Sequence, residues 1–142
     1  IDTNYVQTQI KRIEKSIVDD PELAIGASKE FLETVCKTIL LEKGIELTNP
    51  KLPALVRETL KQLKLLPNDI PNEVKASETI KRLLMNLASI SNSLAELRNP
   101  YGSGHGKEAN YIGLEPRHAR LAAGSAITLA VFIFETHQKR NI

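Results

Sequence analysis

Arg98, Asn99 and His105 are the residues of this 142-residue chain whose types and spacing are best suited to chemistry. A guanidinium can form two parallel hydrogen bonds with a phosphate. An imidazole titrates near neutrality and can therefore accept or donate a proton at physiological pH. The amide of an asparagine can orient a hydroxyl group or the imidazole itself. The three residues together predict a site that holds an anion and moves a proton beside it.

Each of these residues also has a purely structural explanation. Arg98 closes a predicted helix, where a cation stabilises the helix dipole by ~0.3–1 kcal/mol. Asn99 precedes Pro100, and Asn-Pro is a common turn dipeptide. His105 could be an exposed loop histidine, but its small glycine neighbours leave the ring accessible to a substrate. With Arg98 nearby, the functional interpretation of His105 is the better one.

A second group of cations, Arg117, His118 and Arg120, lies in the first turns of the last predicted helix. Cations at a helix N-terminus oppose the helix dipole, at a cost of a few tenths to ~1 kcal/mol. Their position is explained if an anion binds among them, since free backbone N–H groups also point there. The alternative is that their side chains turn toward solvent or toward Glu115.

Tyr101 and Lys107 flank the loop histidine and are candidates for stacking a base or contacting phosphate, although they are equally typical of an ordinary loop. The glycines around them match neither the phosphate-loop nor the dinucleotide-binding motif. The histidines lack the neighbouring carboxylates or thiolates of a zinc site. We therefore predict no metal and no cofactor.

Five helices are predicted to position these residues, which makes the chain an all-α protein with a four- to five-helix bundle. Apolar residues at helical spacing define the first helix, which should end near Asp19. Asp20 is the expected N-cap of the second helix, which runs to about Lys43 before Gly44. A short third helix ends before Pro67.

The fourth and fifth helices flank the reactive residues. Ser77 is the expected cap of the fourth helix, and Pro100 is expected to end it because proline disfavours helical geometry in the preceding residue. Its predicted apolar face consists of Ile80, Leu83, Leu87, Ile90, Leu94 and Leu97. The fifth helix begins near Pro116 and runs to about Lys139. If the two helices pack antiparallel, the reactive residues gather at one end of the bundle.

Composition restricts the class of protein. A hydrophobic fraction of 42%, a charged fraction of 25% and a net charge of +2 are typical of a soluble domain and too weakly basic to indicate nucleic-acid binding alone. The single Cys36 excludes an intrachain disulfide and suits the cytoplasm. The apolar stretch from Leu121 to Phe134 is shorter than the ~20 residues that span a bilayer, so it predicts a buried core helix and no membrane association.

We expect residues 1–142 to form a single helical domain. Because the sequence begins with Ile1 rather than Met, it can be the C-terminal part of a longer protein. His137, near the end of the last helix, is expected to be a surface residue that the helix dipole favours. Cys36 is expected to be a small buried apolar residue.

Arg98-Asn99, followed after five further residues by His105, resembles the arginine–polar–histidine signature of the HEPN superfamily. The surrounding sequence resembles the C-terminal domain of bacterial abortive-infection proteins, in which a Leu-Arg-Asn segment is followed by a Gly-x-x-His-Gly turn. The helix after it resembles the Arg-His-Ala-Arg-Leu-Ala stretch of this chain. The resemblance extends from about Ile17 to Thr136. Six residues separate Arg98 from His105, which is the long end of the family's range.

The resemblance implies metal-independent RNA cleavage in an abortive-infection or toxin-type anti-phage defence system. In that chemistry Arg98 holds the scissile phosphate, His105 acts as general base or acid, and Asn99 positions the ribose or the imidazole. The RNA 2′-hydroxyl attacks and leaves a 2′,3′-cyclic phosphate. The implied partners are RNA, a second copy in a homodimer, and an antitoxin or an N-terminal regulatory domain. A non-catalytic module that dimerises or binds RNA or a nucleotide stays open as the alternative.

Overall fold

The computed structural model describes residues 1–66, 76–101 and 115–140, and side chains in these ranges except those of residues 98–101. The described residues form helices and no strand, which confirms the predicted all-α class. The five helices are α1 (Thr3–Asp19), α2 (Pro21–Glu42), α3 (Leu52–Gln62), α4 (Ser77–Tyr101) and α5 (Pro116–Arg140).

Asp20 joins α1 to α2 and forms hydrogen bonds at both helix ends. Its backbone N–H donates to the carbonyl oxygen of Ser16 at 2.8 Å, which closes the last turn of α1. Its carboxylate accepts from the backbone N–H of Leu23 at 3.1 Å, and Pro21 follows as the first residue of α2. The predicted cap is confirmed, and this corner fixes the angle between the first two helices.

Replacing Asp20 with alanine is expected to lower the free energy of unfolding by ~1 kcal/mol, because the backbone N–H of Leu23 loses its acceptor. Chemical denaturation followed by circular dichroism measures this change. The matched control is Asp19→Ala, one residue earlier, which removes an exposed acid from the unfavourable C-terminal end of α1. An equal loss of stability in both variants would contradict the capping role.

The core is built around α2 and α5, which pack against each other more extensively than any other pair of helices. Small residues on α5 allow this close approach, and larger residues fill the space between the helices. The fully buried side chains of α5 are Ala119, Ala123, Ala126, Leu129, Ala130 and Ile133.

Among the described residues, α5 is the helix that is long and apolar enough to cross a membrane, with a mean hydropathy of 1.4 over an 18-residue window. A helix at the centre of a bundle meets the same criterion, because several of its faces are covered by protein. In this chain 44% of the window is buried inside the bundle. The predicted buried core helix from Leu121 to Phe134 is therefore confirmed, although Leu121 itself is exposed.

The buried face of α4 differs by one residue from the predicted face. Leu94 is buried as expected, but Leu83 is 58% exposed and Leu84 is buried in its place. Residues three or four positions apart both lie on one face of a helix. Leu83 and Leu84 follow Ile80 by three and four residues, so either leucine was compatible with the predicted face. Leu84 lies on the face of α4 toward α3, where it lines a pocket together with Pro53 and Arg57.

Both ends of α4 also differ from the prediction. The helix begins at Ser77, so the N-cap position belongs to Ala76, whose φ is +60° and whose carbonyl accepts from Ile80. At the other end the backbone stays helical through Pro100 to Tyr101. Pro100 lacks the N–H that would donate to the carbonyl of Glu96, and the helix ends one residue later.

His137 is a correction to the surface position that the sequence predicted. It is 7% exposed, and its Nε2 lies 2.5 Å from Oε2 of Glu42. Glu42 is the last residue of α2, so this contact joins the C-terminal ends of α2 and α5. His137 lies four residues after the buried Ile133, and this helical spacing favours a buried position. The prediction gave more weight to the polar character of the histidine.

Candidate functional site

A groove of about 470 Å³ lies between α4 and α5 and leads toward the predicted reactive end of the bundle. Among the residues that line the groove, Leu94 on α4 is buried, whereas Leu121 on α5 is 73% exposed. Leu97 and His118 lie on the same groove. The end of α4 therefore meets the beginning of α5, as the antiparallel arrangement predicted.

Arg98 directly follows the groove residue Leu97 along α4, and Asn99 and Tyr101 occupy the last turn of the helix. The side chains of these three residues lie outside the described part of the chain, as do His105 and Lys107 entirely. The pairing of Arg98 with His105 therefore stays a prediction. What is described is the backbone position of Arg98, one residue beyond the groove and beside the start of α5.

His118 closes the first turn of α5. Its Nδ1 accepts a hydrogen bond from the backbone N–H of Glu115 at 3.2 Å, and the carbonyl of Glu115 accepts from the backbone N–H groups of His118 and Ala119. This is the role that glutamate or glutamine has in a capping box, three residues after the N-cap.

Glu115 also pairs with Arg117. The Nη2 atom of Arg117 lies 2.8 Å from Oε2 of Glu115, and the same carboxylate oxygen is 3.9 Å from Nε2 of His118. For Arg117 the structure thus shows the alternative in which the side chain turns toward Glu115. The pair is highly exposed, and ion pairs of this kind contribute only ~0–1 kcal/mol, so a phosphate can displace the carboxylate at little cost.

Arg120 is the remaining predicted cation of this region. It is exposed on α5, and within the described residues its guanidinium forms no ion pair. Counting Arg117, Arg120 and Glu115, the described start of α5 carries a net positive charge. Arg117 directly precedes the groove residue His118, whereas Arg120 follows His118 by two residues and lies on another face of α5. Positive charge from Arg117 near the groove and apolar side chains within it make the region suited to a ligand with an anionic and an apolar part.

Cys36 and the acidic residues do not form an alternative site among the described residues. Burial raises the pKa of the Cys36 thiol to about 12; a hydrogen bond with Thr59 opposes this shift and the charge of Glu33 adds to it. The thiol is thus protonated and inaccessible at neutral pH, as the predicted buried apolar role requires. In the described ranges no three potential metal ligands cluster together.

Comparison with known families decides what kind of domain this is. The model of a HEPN-like domain family, Abi_C, matches residues 4–137, which is nearly the whole chain. The chain belongs to this family. No curated protein and no solved structure matches this chain. The HEPN-like assignment confirms the resemblance proposed from the sequence and extends it toward the N-terminus, from about residue 17 to residue 4.

Several groove residues of this HEPN-like domain were not anticipated from the sequence. Leu121 was assigned to the buried helix, and the serines that line the groove were not singled out; these are Ser89, Ser93 and Ser125. A signal was present, because Ser89 and Ser93 lie four residues apart on one face of α4. Which α4 face meets α5 depends on tertiary packing, so the groove was not predictable from helix periodicity alone.

Proposed function

We propose that this HEPN-like domain is a metal-independent endoribonuclease of an abortive-infection or toxin-type anti-phage defence system. Membership of the HEPN-like family supports an RNase or abortive-infection role in general terms. The proposal names the reaction as attack by the RNA 2′-hydroxyl and the site as Arg98, Asn99 and His105.

The observation that carries the proposal is the shared groove at the junction of α4 and α5. Leu97 and His118 line the same groove, so the helix turn that carries Arg98 and Asn99 lies beside the turn that carries Arg117 and Arg120. The backbone of Arg98 on α4 and the first turns of α5, with Arg117 and Arg120, therefore lie at one end of a chain whose overall charge is only +2. Positive charge at this end suits the phosphates of RNA, which supply most of the affinity in nucleic-acid binding.

In the proposed reaction a base removes the proton from the RNA 2′-hydroxyl, and the 2′-oxygen forms a bond to the adjacent phosphorus. The bond between phosphorus and the 5′-oxygen breaks, and that oxygen takes up a proton. The products are a 2′,3′-cyclic phosphate and a 5′-hydroxyl end. His105 acts as the base or the acid, and Arg98 stabilises the negative charge on the phosphate in the transition state.

The remaining predicted residues bind the substrate. Asn99 positions the ribose or the imidazole, while Tyr101 and Lys107 contact the RNA near the reacting phosphate. Arg117, His118 and Arg120 contact the phosphates that flank it. His118 does so through Nε2, since its Nδ1 accepts the hydrogen bond that closes α5.

We further propose that the domain works in the cytoplasm as a homodimer, in which two such sites face a common RNA. A two-fold axis places identical residues opposite each other, so each copy supplies cations that extend the site of the other. An antitoxin or a preceding regulatory domain is the proposed means of holding the activity in check.

The proposal is tested by incubating the purified domain with total RNA in excess EDTA and identifying the chemical ends of the fragments. We expect cleavage to persist in EDTA and to leave 2′,3′-cyclic phosphates, because the mechanism uses only side chains and the RNA hydroxyl. Fragments with 3′-hydroxyl ends, or activity that requires a divalent metal ion, would contradict it. RNA binding without any cleavage would favour the regulatory module instead.

A further inference from the structure

The groove between α4 and α5 has the volume and the lining of a small-molecule site. Its volume of about 470 Å³ lies within the range of ligand pockets, ~300–1,000 Å³. Its lining is mainly apolar, with Leu94 at its base and Leu97 and Leu121 near the mouth. Such a groove accepts a planar apolar group and shields from water the part that lies against its lining.

Two hydroxyl groups add hydrogen-bonding capacity to this lining. Ser93 on α4 and Ser125 on α5 line the groove, and within the described residues neither side chain forms a hydrogen bond. Each hydroxyl can donate one hydrogen bond and accept others. A bound alkyl chain could not form hydrogen bonds with these hydroxyls, whereas a heterocycle with polar edges could.

Charge near one end of the groove points to the rest of the ligand. Arg117 directly precedes His118, which lines that end, and its exposed, weak pair with Glu115 leaves it able to bind a phosphate. A nucleotide has a matching distribution of charge, with an anionic phosphate attached through a sugar to a planar base whose faces are apolar. Proteins that take a base out of its stack hold it between apolar side chains and hydrogen-bond its edge.

We propose that the groove binds one nucleobase of the RNA substrate, next to the phosphate held at the α4–α5 junction. Leu97 and Leu121 contact the faces of the base, and the hydroxyls of Ser93 and Ser125 hydrogen-bond its edge. The groove therefore determines which nucleotide is placed beside the scissile bond. This inference rests on the proposed function in that it takes RNA as the ligand.

The test uses nucleoside 5′-monophosphates as probes and ribose 5-phosphate as the probe that lacks a base. Titrations of the isotope-labelled protein, followed by NMR, give the affinity and the residues affected. We expect at least one of the four nucleotides to bind about tenfold more tightly than ribose 5-phosphate, since contacts with a single base commonly give an effect of this order. The backbone amides of Leu97, Leu121 and Ser125 should shift.

Filling the groove should remove this advantage. Ser125→Leu places a larger side chain in the groove, and Ser93→Leu does the same from the exposed surface of α4, as a second variant if the first alters folding. Thr128→Leu is the matched control, because Thr128 is exposed on α5 about one turn beyond the groove lining. Arg117→Gln should weaken the binding of nucleotides and of ribose 5-phosphate by the same factor.

The outcomes separate this inference from the proposed function. Equal binding of nucleotides and ribose 5-phosphate, or an advantage that survives both serine variants, overturns the base site and leaves the nuclease proposal standing. A loss of dimer mass in Ser125→Leu with no change in base preference also overturns it, because the groove would then be an interface between copies. Base binding that requires the groove, in a domain that never cleaves RNA, supports the base site and rejects the nuclease.

Discussion

Replacing Arg98 or His105 with alanine is expected to reduce the rate of RNA cleavage by ~10²–10⁴-fold, the usual contribution of a positioned acid–base group or a charge-stabilising donor. In cells the same variants should lose growth toxicity. Since the proposed mechanism has both side chains act on one phosphate, the double variant should be little worse than either single variant. Single-turnover cleavage of a labelled RNA measures the rates, and circular dichroism checks that helicity is unchanged.

The matched control is Arg82→Ala, which removes an exposed arginine from the same helix about 24 Å from Arg98 by helix rise. It should cleave RNA at the rate of the unsubstituted domain. Two results would count against the assigned roles. One is full activity in either alanine variant, and the other is an equal loss in the Arg82 control, which would indicate a general effect of charge on RNA binding.

Leu129→Ala is expected to lower the free energy of unfolding by ~2–5 kcal/mol, because Leu129 is fully buried at the centre of α5 and its truncation leaves a cavity. Loss of this size is a large part of the total stability of a domain of this length. Urea denaturation gives the change, and the thermal midpoint should fall in parallel.

Leu121→Ala provides the matched control on the same helix. Leu121 is 73% exposed, so the same truncation should change stability by no more than ~0.5 kcal/mol. If the groove binds a base, Leu121→Ala should instead weaken nucleotide binding. Similar destabilisation by both variants would show that the outer face of α5 is covered, contrary to the structure described here.

Helix boundaries were the most predictable part of the fold, because local chemistry sets them. Asp20 and Pro21 are a cap and a first helical residue in sequence and in structure, and Gly44 adopts the positive φ of +76° expected after α2. The ends of α4 were less predictable. Ala76 has no side-chain acceptor to mark it as the cap, and α4 extends one residue past Pro100, although proline disfavours helical geometry in the residue before it.

Tertiary contacts decided the features that the sequence could not specify. The choice between Leu83 and Leu84 depends on where α3 packs, and the burial of His137 depends on Glu42, which is 95 residues away in the chain. The same applies to the groove, since it exists only where α4 and α5 meet. Periodicity describes one helix at a time and contains no information about which neighbour covers which face.

For the site, residue types and spacing led to the prediction of Arg98, Asn99 and His105, and this choice stays a prediction; the HEPN-like family match shows the family of the domain. The role of His118 was only partly anticipated. It was predicted to bind substrate, but a hydrogen bond from Glu115 to Nδ1 gives it a capping role as well. Geometry of this kind depends on the rotamer of one side chain, which sequence spacing does not determine.

The proposed mechanism requires the guanidinium of Arg98 and the imidazole of His105 to converge on one phosphate. A crystal structure of the domain with a short RNA whose attacking 2′-hydroxyl is replaced by hydrogen tests this, because the RNA stays intact. We expect both side chains within hydrogen-bonding distance of the same phosphate group, either from one copy or from two facing copies. Side chains that point apart, with no second copy supplying the missing partner, would contradict it.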